Sequence, residues 1–210
     1  MPIDLSKRRN AVKSRTFLAI PLPHEVSDAL AALQGTVGAG DALKWVRQDL
    51  LHITVRFLGG LTPDELRTVT DTALMASSLV PPFSLRLSQL GAFPHERAPR
   101  VLWVGLTEDE GYGALLRLSA VLEAELESRG FEREVRPYTP HITLARTRDS
   151  ATSADRRAIG EALASSRHVS LPLDSFPVEE LVVMRSDLRP TGPEYTQVLP
   201  APLGEKEGAR

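Results

Sequence analysis

Three observations predict an α+β fold built from two related lobes. Stretches with strand and helix character are mixed along the chain rather than strictly alternating. The tetrapeptide His-Ile-Thr plus an aliphatic residue occurs twice, as His52-Ile53-Thr54-Val55 and His141-Ile142-Thr143-Leu144, 89 positions apart in 210 residues. The order strand, helix, motif strand, helix recurs around both copies. A pseudo-twofold repeat follows, each half lending one motif strand to a shared groove.

The elements come in this order. Residues 1–14 carry Lys7, Arg8, Arg9 and Lys13 without an apolar segment of signal-peptide length, so a disordered basic lead is expected. A strand over 15–20 and a helix over 25–33 follow, bracketed by Pro21, Pro23 and Gly35. The first motif strand spans 50–58. Thr62 then caps a helix with Pro63 in its first turn and Glu65 closing a capping box. Leu66, Val69, Ala73 and Leu74 form its apolar stripe. Strands are expected over 83–90 and 101–106. The helix of 112–129 should bury Leu115, Leu116, Leu118, Leu122 and Leu126 and end at Gly130. The second motif strand, 138–145, leads to a helix at 153–165 and strands near 169–173, 181–184 and 195–199. The tail, 201–210, is polar and without periodicity, so the domain is placed at 15–200. No linker divides its middle, and strand exchange between lobes stays open.

Composition removes several function classes. Twenty-five basic residues against 27 acidic ones do not make a protein that coats long nucleic acid, though a local anionic substrate fits. The absence of cysteine excludes disulfides, thiolate metal sites and thiol nucleophiles, and it is compatible with a reducing cytoplasm. No run approaches the roughly 20 apolar residues that span a bilayer.

The motifs carry the chemistry. With five histidines and 14 threonines in the chain, about 0.3 His-x-Thr triplets are expected by chance, so two copies in matching apolar frames stand out. In a strand, His and Thr two apart share one face while the aliphatic residues fill the other. Paired imidazoles suit a displacement in which one neutral ring takes a proton from the nucleophile and a protonated ring gives one to the leaving oxygen. In-line attack at phosphorus needs those two groups on opposite walls, and threonine hydroxyls can hold the non-bridging oxygens. Neither a metal nor a cofactor is needed for this.

The chain resembles the two-histidine (2H) phosphoesterases, in particular the RNA 2',3'-cyclic phosphodiesterases, also called 2'-5' RNA ligases. Besides the two motifs, the strings TFLAIPLP, LLHITVRFLGG, GAFPHERAPRVLWVGL, RPYTPHITLAR and MRSDLRPTGPEY carry that resemblance, over nearly the whole chain. It implies two antiparallel sheets facing a central groove with helices outside. It also implies hydrolysis of a terminal RNA 2',3'-cyclic phosphate to a 2'-phosphomonoester, with 2'-5' joining as the reverse. His52 matches the family's proton donor, His141 its proton acceptor, and Thr54 and Thr143 its phosphate-holding residues. RNA ends or small cyclic-phosphate nucleotides are the expected partners of a cytoplasmic monomer.

Further residues invite roles. Arg56, two after Thr54, should share its face and reach the phosphate, unless it is a solvent-facing arginine. Arg146 is a candidate phosphate clamp, although alternation from His141 turns it to the opposite face unless the strand bulges. Trp45 and Tyr138 are candidates for stacking on a base or for packing. His24, His95 and His168 lack the threonine and read as surface residues. Two rival functions remain: a metallohydrolase, for which the motifs lack a carboxylate or third histidine, and a catalytically silent nucleotide-binding module. Within the enzyme class, a small cyclic nucleotide or a cyclic phosphate derived from a nucleotide sugar is the alternative substrate.

Overall fold

The computed structural model describes residues 14–37, 40–166, 175–190 and 192–204, and the sequence expectations for the basic lead, His168, the strand at 169–173 and residues 205–210 lie outside them. Among the described residues, ten strands and four α-helices follow one another as β1 (Ser14–Pro21), α1 (His24–Thr36), β2 (Leu43–Trp45), β3 (His52–Leu61), α2 (Pro63–Ser78), β4 (Phe83–Leu85), β5 (Leu87–Phe93), β6 (Val101–Leu106), α3 (Glu110–Ser128), β7 (His141–Thr147), α4 (Ser153–Ser166), β8 (Phe176–Val178), β9 (Glu180–Arg189) and β10 (Gly192–Pro202).

The large sheet runs β10-β9-β1-β3-β7-β6-β5, all antiparallel, with β2 also on β7; β4 and β8 pair separately. It is one continuous sheet, not the two facing sheets expected, and it narrows to a single residue pair between β3 and β7, a seam that divides it into two lobes. β10, β9, β1 and β3 make the first lobe, β2, β7, β6 and β5 the second, so C-terminal strands complete the sheet of the first motif. At the seam Ile53 pairs with Ile142, the middle residue of each motif. An antiparallel pair of equivalent residues places the pseudo-twofold axis between them, and continuing that register sets His52 beside Thr143 and Thr54 beside His141. Just past the seam β7 changes partner: residues 145–147 pair with β2. Gln34 on α1 secures that branch, its amide donating to the carbonyls of Val46 (2.9 Å) and Leu144 (3.1 Å).

Helices and core lie behind the sheet. Leu18, Ile20, Ile53 and Ile142 are buried from the strands, and Val26, Val69, Leu115, Leu118 and Leu122 from the helices. The capping box at α2 forms as expected, Thr62 N–H donating to Glu65 (2.7 Å) and Glu65 N–H to Thr62 Oγ1 (3.3 Å). The stripe differs. Val69, Thr72, Ala73, Ala76 and Ser77 are buried while Leu74 is 43% exposed, because small residues bring this helix close to β9, β10 and α3 and Leu74 lies one helical step off that line. Leu116 is displaced from the α3 stripe in the same way.

Two boundaries also move. The expected strand over 83–90 divides at Arg86, β4 joining β8 and β5 the large sheet, while Arg86 bonds Asp109, the cap of α3. The domain does not stop at residue 200, as the sequence suggests. Ala201 and Leu203 are buried, and Gly204 N–H donates to the Ser77 and Val80 carbonyls at 3.0 Å, so packing extends to residue 204.

Candidate active site

In both motifs the His and Thr side chains share one face of the sheet and the aliphatic side chains fill the other. Ile53, Val55, Ile142 and Leu144 are buried behind the sheet, while His52, Thr54, His141 and Thr143 are partly accessible on its front. Each imidazole is fixed in the same manner by the carbonyl two residues upstream: His52 Nδ1 on Leu50 O at 2.8 Å, His141 Nδ1 on Thr139 O at 2.7 Å. A carbonyl only accepts, so Nδ1 carries the hydrogen and Nε2 is left for a substrate. His52 Nε2 also lies 3.0 Å from Thr54 Oγ1, whose hydroxyl donates to the neutral ring and accepts from the protonated one.

The fourth residue of each motif is a β-bulge. Against β1, Thr54 pairs with Ala19 and Arg56 with Leu18, skipping Val55; against β6, Thr143 pairs with Trp103 and Ala145 with Leu102, skipping Leu144. A single extra residue reverses the alternation beyond it. Arg56 is therefore not on the face of Thr54, as the sequence predicts, but behind the sheet with Leu18. There it ion-pairs with Glu123 of α3 and Glu134, and bonds the Glu132 carbonyl, its side chain 12% exposed. The equivalent bulge delivers the condition on which Arg146 depended and returns it to the front. Its charge disfavours a proton on His141 and also reaches Tyr195 across the seam.

Tyr138 is an anchor rather than a stacking surface. Its hydroxyl donates to the Thr54 carbonyl at 3.0 Å, tying the approach to the second motif onto the first, and burial pushes its ionisation well upward. Trp45 packs on the core. His24 and His95 are exposed.

Sequence reasoning missed the aromatic walls. Phe17 (5.0 Å between ring centroids) and Tyr195 (5.5 Å) flank His52; Phe93 (5.0 Å) and Trp103 (6.1 Å) flank His141. Phe57, turned forward by the Val55 bulge, is 63% exposed beside Phe17. These walls exclude water and push both imidazole pKa values below the ordinary range, an effect that the carbonyl bonds only partly oppose. A proton on His141 further disfavours one on His52, so the rings share one electrostatic site. The phosphate-holding atoms would be the Thr54 and Thr143 hydroxyls and the Arg146 guanidinium. Among the described residues, no group of three or more His, Cys, Asp and Glu is placed to hold a metal ion, and no helix is long and apolar enough to cross a membrane.

The chain is similar in sequence and fold to known proteins. Residues 21–190 match the family described as the 2'-5' RNA ligase superfamily. An RNA 2',3'-cyclic phosphodiesterase of Methanothermobacter thermautotrophicus is 31% identical over 89% of this chain and 97% of its own length. One from Geobacillus stearothermophilus is 32% identical over 91% of this chain, which spans only 58% of that longer protein. A crystal structure from Thermus thermophilus superposes with a TM-score of 0.74 at 32% identity, covering 91% of this chain and 99% of its own. E. coli LigT complexed with 3'-AMP gives 0.69 at 26%, with 91% and 98% covered.

Proposed function

Because the chain belongs to the 2'-5' RNA ligase superfamily, we propose that its groove hydrolyses the 2',3'-cyclic phosphate at the end of an RNA strand to a 2'-phosphomonoester. The observation that carries this reading is the pair of equivalent imidazoles, each clamped through Nδ1 and offering Nε2, on either side of the Ile53–Ile142 seam. That is the arrangement in-line displacement at phosphorus requires.

In this mechanism His141 Nε2 takes a proton from the attacking water, the water oxygen bonds to phosphorus, and the bond to O3' breaks as His52 Nε2–H protonates the departing oxygen. The alkoxide never leaves unprotonated. Two features support the direction. Arg146 favours neutral His141, the form a base needs. Exposed Phe57 and partly exposed Tyr195, both backed by buried Phe17, offer the His52 wall to the terminal base, which puts the ribose and its O3' on the donor's side. Both rings are biased toward neutrality in the free protein, and the arriving phosphodiester anion restores a proton to one of them. Thr54, Thr143 and Arg146 hold the non-bridging oxygens, and Tyr138 positions the Thr54 backbone. Run in the same direction with a 5'-hydroxyl in place of water, these steps join RNA ends 2'-5'. The enzyme works as a monomer in the cytoplasm.

The test is turnover of an RNA oligonucleotide ending in a 2',3'-cyclic phosphate, with EDTA present, and identification of the product isomer. A 2'-phosphate formed by the wild type and lost in His52→Ala and His141→Ala is the expected result. Loss of wild-type activity on chelation would overturn it. No turnover by folded wild type would point to a smaller cyclic nucleotide or to a binding module.

A further inference from the structure

Strand order continues the reaction axis beyond His141. Moving across the sheet from β3, the groove passes His52, then His141 on β7, then Trp103 on β6, and ends in a depression of about 630 Å³ at the β5 edge. Its lining includes Gln89, Gly91, His95, Glu96, Arg97 and Trp103. It flanks the histidine pair rather than containing it, on the side away from Phe57.

The depression has a prepared floor. Trp103 faces Gly91 across the β5–β6 pair, and a Cβ on Gly91 would lie 2.3 Å from the indole ring. A Cβ on Gly105, beside His141 in the register, would approach it to 3.1 Å. The indole is thus laid flat where two glycines leave room, held laterally by Phe93 at 5.1 Å. Its Nε1–H is turned inward, shielded from solvent and without a hydrogen-bond partner, so the indole offers the depression its ring and not its donor. An aromatic plane with an amide, an imidazole, a carboxylate and a guanidinium around it offers the stacking surface, donors and acceptors that a nucleoside uses, and the volume falls in the range of small-molecule sites.

We propose that this depression binds the 5'-terminal nucleoside of an acceptor RNA strand, placing its 5'-hydroxyl at His141 for 2'-5' joining. The inference rests on the acid and base roles given above, because only the base's side admits a nucleophile. The acceptor's 5'-oxygen bonds to phosphorus and gives its proton to His141 Nε2; the phosphorus–O3' bond breaks and O3' takes the proton of His52. The product is a 2'-5' phosphodiester with a free 3'-hydroxyl, and no co-reactant is consumed. Water occupies the same path when no acceptor is bound, so the depression sets the partition between joining and hydrolysis.

The experiment mixes RNA ending in a 2',3'-cyclic phosphate with rising concentrations of a 5'-hydroxyl oligonucleotide and measures joined and hydrolysed products in one reaction. Wild type, Arg97→Ala and Gln89→Ala are compared. The joined fraction should saturate with acceptor in the wild type. Losing one charged or amide contact should lower the joined-to-hydrolysed ratio at low acceptor by about tenfold, while hydrolysis without acceptor is unchanged. An unaltered ratio in both variants overturns the proposal, as does hydrolysis falling in parallel, or a wild type that hydrolyses without saturable joining. A wild type that does not hydrolyse at all fails the proposed function itself, and the acceptor site with it.

Discussion

The two motif bulges predict opposite fates for two arginines that look alike in the sequence. Arg146 faces the groove and carries no ion pair among the described residues, and in the proposed mechanism it neutralises the phosphate. Removing one such preorganised donor costs about 10²–10³ in rate, roughly 3–4 kcal/mol of transition-state stabilisation, so Arg146→Ala should lose that much kcat/KM. Its stability should stay within about 0.5 kcal/mol, as for an exposed residue without partners. Arg56 is held behind the sheet by Glu123, Glu134 and the Glu132 carbonyl, its side chain 12% exposed. Truncation leaves the Glu123 carboxylate, 20% exposed, without its cation. A fully buried pair would cost about 3–5 kcal/mol; the remaining solvent contact brings this to about 2–3 kcal/mol, or a Tm lower by roughly 5–10 °C in a domain of this size. Arg56→Ala should retain kcat/KM within a few-fold below its melting range. Urea titration and initial rates on the same preparations read both quantities. An Arg56→Ala protein of normal stability but reduced activity would refute the bulge-based assignment of faces.

Other perturbations report on the same site. Burial holds both imidazoles below the ordinary value of about 6.5, so the kcat/KM–pH bell should peak on the acid side of that value. Removing the cation in Arg146→Gln relieves repulsion of the His141 proton, raises that pKa, and should move the acid limb to higher pH; a limb moving down would contradict the placement. Tyr138→Phe keeps the ring but loses the bond to Thr54 O, so about 1 kcal/mol of stability and a modest part of kcat should go. Unchanged Tm with a raised KM would instead mark Tyr138 as a base contact. Gly91→Ala drives a methyl into the Trp103 indole, which should cost about 1–3 kcal/mol and alter tryptophan fluorescence; a silent substitution would show that the indole is not held there.

What the sequence made legible is what depends on local periodicity. Alternation placed His52, Thr54, His141 and Thr143 on one face, and the Thr62–Glu65 capping box marked α2 because its partners are three residues apart. The bulges at Val55 and Leu144 are a property of strand register, set by β1 and β6, and nothing in Val or Leu announces them. Arg56 was therefore assigned to the wrong face. Alternation from His141 turns Arg146 away from the groove, and only the Leu144 bulge turns it back. Phe17, Phe93, Trp103 and Tyr195 come from four other strands, and only their presence in strand-like strings hinted at them. Leu74 and Leu116 failed for another reason: an apolar residue one step off the stripe is excluded only once the closeness of the neighbouring element is known.

The central claim is that His52 donates to the departing O3' while His141 serves the nucleophile, and a substrate whose bridging 3' oxygen is replaced by sulfur tests it directly. A thiolate leaves without protonation, so His52→Ala should recover most of its lost activity on the sulfur substrate, whereas His141→Ala should remain defective by about 10²–10⁴. Recovery by His141→Ala instead would reverse the roles, and equal loss in both variants on both substrates would contradict acid and base catalysis by this pair.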